Sequence, residues 1–134
     1  MPTIKGSAPV LLVKDVLHSA NWYKDKLGFT ISGLYGHPPY FAILHRDGHY
    51  LMFQKADSHL IKPNWKLVEK TNNVYFWVDD VETLYKEFIA SGATIDYELY
   101  PTPWGTKEFG INDPDEYDIT FGEIVSAEPR KFVP

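Results

Sequence analysis

The sequence predicts an α+β fold of paired βαβββ modules forming a curved, cleft-enclosing mixed sheet. Three observations lead there. An apolar run leading into an aspartate occurs twice, as Val10-Leu-Leu-Val13 before Asp15-Val16 and as Val74-Tyr-Phe-Trp-Val78 before Asp80-Val81. Each aspartate opens a helical period that stops at a glycine, and three strand-like stretches follow each glycine. A chain of 134 residues suits one domain. The expected organisation is a single domain over 1–134, with modules 7–54 and 73–123 joined by a linker at 55–72.

Each apolar run reads as a buried strand. Each aspartate reads as a helix N-cap, because its carboxylate can accept from the unpaired amides of the first turn. The first helix sets Val16, Ala20, Tyr23 and Leu27 on one face and stops at Gly28, with Lys24 and Lys26 complementing the dipole of its last turn. The second sets Val81, Leu84, Tyr85, Phe88 and Ile89 inward and stops at Gly92. The strands that follow are expected at Phe29–Leu34, Tyr40–Arg46 and His49–Gln54, then at Thr94–Tyr100, Thr106–Asn112 and Tyr117–Gly122. Asp47-Gly48 between alternating runs is a strong signal for a two-residue hairpin, and Asp113-Pro-Asp-Glu116 supplies the matching turn. Residues 55–72 lack a period and contain Pro63, which gives a linker with one irregular turn. The tail from Ser126 carries no pattern.

Composition narrows the function. At 44% hydrophobic and 16% aromatic the chain can build a core without a staple. It has no cysteine, which removes disulfides, thiolate metal sites and thiol nucleophiles. A formal charge of −5 disfavours a phosphate backbone, so no nucleic-acid partner is expected. The start lacks a signal-peptide pattern and no run is long enough to span a bilayer, so a cytoplasmic protein without a membrane partner is expected.

A two-residue turn at Asp47-Gly48 pairs Arg46 with His49, His45 with Tyr50, Ile43 with Met52 and Phe41 with Gln54. Ala42, Leu44, Leu51 and Phe53 then face the helix, while Phe41, His45, Tyr50 and Gln54 form an aromatic and polar set. The second half divides likewise: Val74, Phe76, Phe109, Ile111, Ile119 and Phe121 face inward, and Tyr75, Trp77, Thr106, Glu108, Asp118 and Thr120 face away. Two sheets sharing a concave face would gather the second set in a wet cleft, the default place for a ligand.

The duplicated pattern, with Val13-Lys-Asp-Val16, Trp22-Tyr-Lys-Asp-Lys-Leu-Gly-Phe29 and Asp113-Pro-Asp-Glu-Tyr117, resembles the vicinal oxygen chelate superfamily of glyoxalases, extradiol dioxygenases and bleomycin resistance proteins over about residues 7–123. Ser7-Ala-Pro-Val10 and Pro103-Trp-Gly-Thr-Lys-Glu-Phe109 are most similar to the bleomycin resistance branch. The family turn ends in glycine where this chain has Glu116. The resemblance implies four metal-ligand places, which fall at Ala8, Met52, Asn73 and Thr120. Ala and Met offer a hard cation nothing, and neutral Asn and Thr bind it weakly. No metal and no cofactor are therefore expected.

The expected function is a metal-free small-molecule binding protein that sequesters a cationic or aromatic antibiotic such as bleomycin. Its binding residues would be Phe41, His45, Tyr50, Gln54, Tyr75, Trp77, Trp104 and Glu108. The alternative is a lyase, isomerase or dioxygenase-like enzyme of the same family, using unusual ligands or a His45/Glu108 acid–base pair. Trp65 either closes over the cleft or anchors the linker. A homodimer is expected from the resemblance, and Pro9 suits either a hinge for strand exchange or the start of an edge strand.

Overall fold

A computed structural model of the chain describes residues 1–126; residues 127–134 of the expected single domain lie outside the described residues. The chain divides into two compact units, Met1–Lys62 and a second that starts at Pro63. The boundary falls within the expected linker. Each unit is a βαβββ module with a four-stranded mixed sheet.

In the first unit the elements are β1 (Val10–Val13), α1 (Val16–Leu27), β2 (Thr30–Tyr35), β3 (Phe41–Arg46) and β4 (His49–Lys55), with sheet order β1-β4-β3-β2. Asp15 caps α1 by accepting from the His18 amide at 3.0 Å, and Gly28 closes the helix with φ +71°. The β3–β4 ladder pairs Phe41 with Gln54, Ile43 with Met52 and His45 with Tyr50. Asp47 and Gly48 both take positive φ, as a tight hairpin turn with the right twist requires. Tyr23, Leu27, Leu44, Leu51 and Phe53 are fully buried where α1 covers the sheet. The strand β4 reaches one residue into the expected linker because Lys55 pairs with Val13 and donates its amide to the Tyr40 carbonyl at 2.8 Å.

The second unit contains α2 (Asn64–Leu67), β5 (Val74–Trp77), α3 (Val81–Ser91), β6 (Thr94–Pro101), β7 (Thr106–Asn112) and β8 (Asp118–Ile124), with sheet order β5-β8-β7-β6. Asp80 caps α3 through the Thr83 amide, and Gly92 closes it with φ +84°. Phe88 meets Phe109 and Phe121 edge-on beneath the helix. Between β4 and β5 the chain forms a 3-10 turn at Ser58–Leu60 and then α2, where the sequence shows only one irregular turn. A helix of four residues is too short to display a period.

Glu116 stands where the resemblance places a glycine. It adopts φ +69°, the conformation a glycine would supply, and its amide donates to the Asp113 carbonyl at 2.9 Å. The Asp113 carboxylate secures the rest by accepting from the amides of Asp115 and Tyr117, each at 2.9 Å.

Both sheets carry a register shift at the same place in the plan. In β2 it lies between Ile31 and Gly33, opposite Leu44 and Ile43; in β6 it lies between Ile95 and Tyr97, opposite Ile111 and Gly110. A bulge inserts a residue and turns the following side chains to the other face. Strict alternation would keep Tyr97 on the helix side with Ile95. The bulge brings it to the opposite face, over Gly110.

Candidate binding site in the second unit

The helix-free face of the second sheet is expected to be wet, yet its polar groups are buried. Glu108 and Asp118 are each 6% exposed and Thr120 is inaccessible. Two tyrosines do the covering. A Cβ on Gly110 would collide with the Tyr97 ring, and one on Gly122 would collide with the Tyr75 hydroxyl end. These glycines make the floor on which the rings lie.

The rings deliver their hydroxyls to Glu108. Its carboxylate accepts from Tyr75 at 3.1 Å, from Tyr97 at 3.0 Å and from Thr106 at 3.1 Å. Tyr97 Oη also lies 2.9 Å from Thr120 Oγ1, and Thr120 donates to Asp118 Oδ1 at 3.0 Å. The chain thus runs Glu108–Tyr97–Thr120–Asp118 across three strands. Burial, with the Glu108 charge adding to it, holds the hydroxyl protons of Tyr75, Tyr97 and Tyr100 more tightly than usual. Burial also pushes the Asp118 carboxyl up to about 8, helped by the carboxyl group of Asp96 beside it.

Above this floor lies a cavity of about 710 Å³ lined by residues of the second unit alone. Trp65, Tyr75, Tyr97, Tyr100 and Trp104 supply aromatic surface, and Asp96, Glu108 and Asp118 supply carboxyl groups. Lys70 is the one lysine or arginine of the lining. Trp65 belongs to α2 and both lines the cavity and anchors its own segment, since Nε1 donates to the Glu116 carbonyl at 2.6 Å. Lys66 pairs with the Glu116 carboxylate at 3.0 Å.

Of the eight expected binding residues, Tyr75, Trp104 and Glu108 line this cavity together. Trp77 stands behind Tyr75, its ring centroid 5.1 Å away, and is itself exposed. Phe41, His45, Tyr50 and Gln54 lie in the first unit, on the helix-free face of its own sheet, where the His45 and Tyr50 rings are 5.2 Å apart. Tyr97, Tyr100 and Asp96 also line the cavity. Alternation counted from the inward Ile95 already puts Asp96 and Tyr100 on the helix-free face, and only Tyr97 needs the bulge between Ile95 and Tyr97 to reach it.

The four places at which the resemblance implies a metal do not fit one. Ala8 and Met52 carry no suitable donor. Asn73 Oδ1 accepts from the Asn64 amide at 2.9 Å, and the Thr120 hydroxyl is engaged with Tyr97 and Asp118. Among the described residues no three His, Asp or Glu side chains converge to hold a metal ion.

Residues 7–121 match the Glyoxalase/Bleomycin resistance protein/Dioxygenase superfamily. No curated protein matches the sequence. Among solved structures, TioX from Micromonospora sp. ML1 is similar with a TM-score of 0.73 at 20% identity, over 90% of this chain and 98% of that one. The bleomycin-binding protein from bleomycin-producing Streptomyces verticillus, complexed with copper(II)-bleomycin, gives 0.68 at 24% identity over 90% and 97%. A glyoxalase/bleomycin resistance protein/dioxygenase from Alicyclobacillus acidocaldarius gives 0.76 at 17% identity over 91% and 92%. At these identities the likeness establishes the shared fold. No helix among the described residues is long and apolar enough to cross a membrane.

Proposed function

The chain belongs to the glyoxalase/bleomycin resistance protein/dioxygenase superfamily, and on that premise we propose that it is a metal-free binding protein that sequesters a cationic or aromatic antibiotic such as bleomycin. One observation carries this reading: three carboxyl groups and five aromatic side chains line a single cavity that has one lysine. Each exposed ring can stack on a planar ligand for about 0.5–1.5 kcal/mol, rising to about 2 kcal/mol for a desolvated cation over its face. The carboxyl groups then select charge. The small floor residues Gly110 and Gly122 leave the tyrosines flat against the sheet, so the volume above them stays open to a ligand.

The copper(II)-bleomycin complex of the Streptomyces verticillus protein is consistent with an antibiotic of this kind. The donor chemistry at Ala8, Met52, Asn73 and Thr120 supports binding over metal-dependent turnover. We further place the protein in the cytoplasm as a homodimer, for which sedimentation at micromolar concentration is the check.

The reading is tested by titrating the protein with metal-free bleomycin and with ethidium, a planar cation of fixed charge, while following tryptophan emission from Trp65 and Trp104. Saturable quenching by either cation, with weaker binding of a neutral polycyclic of similar size, is the expected result. Equal or tighter binding of the neutral compound would overturn the cation preference. About one metal ion per purified chain would overturn the metal-free assignment.

A further inference from the structure

The hydrogen-bonded chain beneath the cavity has more contacts than its hydroxyl groups can serve. Four oxygens stand in line, Glu108 Oε2, Tyr97 Oη, Thr120 Oγ1 and Asp118 Oδ1, with successive separations of 3.0, 2.9 and 3.0 Å. Three contacts need three protons. The hydroxyls of Tyr97 and Thr120 bring two, so with both carboxyl groups ionised the 2.9 Å contact between the hydroxyls would hold no proton and set lone pairs against each other. A single proton on one carboxyl group completes the chain. Glu108 already accepts from three hydroxyl donors, those of Tyr75, Tyr97 and Thr106. Asp118 is the better place, because Asp96 sits against it and two carboxyl groups in contact hold one proton between them.

We propose that this cavity exchanges a proton for its ligand: a cation that settles among Asp96, Asp118 and Glu108 expels the proton held by the Asp96–Asp118 pair, so that binding tightens as pH rises. The proposal rests on the reading of the cavity as a cation site and names the regulation of that site. The charge balance follows from the lining. Asp118 on β8 faces Asp96 and Tyr97 from β6, and Glu108 and its ladder partner Asn112 from β7. Thr120 lies on its own strand, Tyr75 comes from β5, and Lys70 precedes β5. Without a ligand, Lys70 is the sole basic side chain set against three carboxyl groups, and one proton reduces their repulsion. A bound cation supplies that compensation directly and makes the proton redundant. Asn112 Oδ1, buried and without a hydrogen-bond partner beside this pair, gives an incoming N–H donor a further acceptor.

The experiment uses ethidium, whose charge does not titrate between pH 6 and 9, so that any pH dependence belongs to the protein. Binding is measured across that range by tryptophan quenching. Proton release is measured by calorimetry in two buffers of different ionisation enthalpy. Affinity should rise about tenfold per pH unit below pH 8 and level off above it, with close to one proton released per ethidium at pH 6.5. Asp118→Asn keeps the shape of the protonated acid and should bind weakly at every pH with no proton release. Asp96→Asn should move the rise to lower pH, since Asp118 loses its acidic neighbour. Binding of ethidium that does not vary with pH and releases no proton would overturn the exchange while leaving the cation reading intact. Failure of ethidium to bind the native protein at any pH would overturn the exchange, and failure of metal-free bleomycin as well would overturn the cation reading with it.

Discussion

The two halves have the same plan and opposite uses of it. Position by position the helix-free faces correspond: Phe41, Ile43 and His45 on β3 stand where Glu108, Gly110 and Asn112 stand on β7, and Tyr50, Met52 and Gln54 on β4 stand where Asp118, Thr120 and Gly122 stand on β8. The bulge is shared too, with Gly33 in the place of Tyr97. In the first half bulky residues sit at the centre of the face and Tyr50, Val10 and Tyr35 remain exposed. In the second half glycines sit there, tyrosines lie on them, and carboxyl groups are held below the surface. A duplicated frame therefore fixes where side chains point, while the choice of small or large residue at two places decides what can lie over the face.

The largest difference should appear in the dependence of stability on pH. The folded protein holds the Asp118 proton up to about pH 8, whereas an unfolded aspartate releases it near pH 3.9. Because the folded value is raised, the contribution is fully present below about pH 4 and is lost as pH rises through 8. Relative to Asp118→Asn, whose amide does not titrate, the native chain should lose on the order of 3 kcal/mol between pH 4.5 and 8. Urea denaturation of both proteins at several pH values measures this. A constant difference between them would show that Asp118 is an ordinary carboxylate and that the two faces do not differ in the way argued.

A smaller effect is expected from giving the second half the residue of the first. Gly110→Ile places the Ile43 side chain under the Tyr97 ring, which must leave Glu108 and Thr120 to make room. Overpacking of this kind costs about 1–3 kcal/mol, and the cavity should lose its ethidium quenching as well. Unchanged stability and binding would mean that the ring has other places to go and that Gly110 is not the floor of the site.

Much of this frame is legible in the sequence because its signals are local. Asp47-Gly48 dictates the register of its hairpin, Asp15 and Asp80 each sit three residues before the amide they cap, and Gly28 and Gly92 take the left-handed conformation that ends a helix. The site is less legible because its determinants are not local. Tyr97 reaches the cavity through a bulge that a plain alternation does not register, and α2 is too short for a period yet brings Trp65 to the cavity. The strand parity that sorts Glu108, Asp118 and Thr120 onto one face is sound. It cannot say that two tyrosines lie over that face, since that depends on Gly110 and Gly122 lying under their rings.

The comparison also bears on which half would hold a ligand of the kind proposed. Trp104 sits in the turn between β6 and β7, 56% exposed, so it contributes little to the core. Trp104→Ala should weaken ethidium binding by about 1–2 kcal/mol, on the order of five- to thirtyfold, with the urea midpoint unchanged. Tyr50→Ala, on the corresponding face of the first half, should leave affinity within about twofold if the cavity of the second unit acts alone. A matching loss from Tyr50→Ala would show that both faces contact one ligand. A lowered midpoint for Trp104→Ala with unchanged affinity would make Trp104 an anchor of its turn.

The smallest effect concerns the two hairpin turns. The first places a glycine at one of its left-handed positions, Gly48, while the second places Glu116 at φ +69°. A side chain with a Cβ pays for that conformation with roughly 1 kcal/mol that glycine avoids. Glu116→Gly removes this strain and keeps the backbone carbonyl that accepts from Trp65. It also deletes the carboxylate that pairs with Lys66, but both side chains are about half exposed, and such a pair contributes only about 0–1 kcal/mol. Glycine also leaves the unfolded chain more freedom, which takes back part of the gain. The net expectation is a stabilisation of about 0.5 kcal/mol, read as a small rise in the urea midpoint with ethidium affinity unchanged. A clear loss of stability would show that the Lys66–Glu116 pair holds α2 over the cavity more firmly than an exposed ion pair should, and the accompanying change in affinity would measure how far Trp65 depends on it.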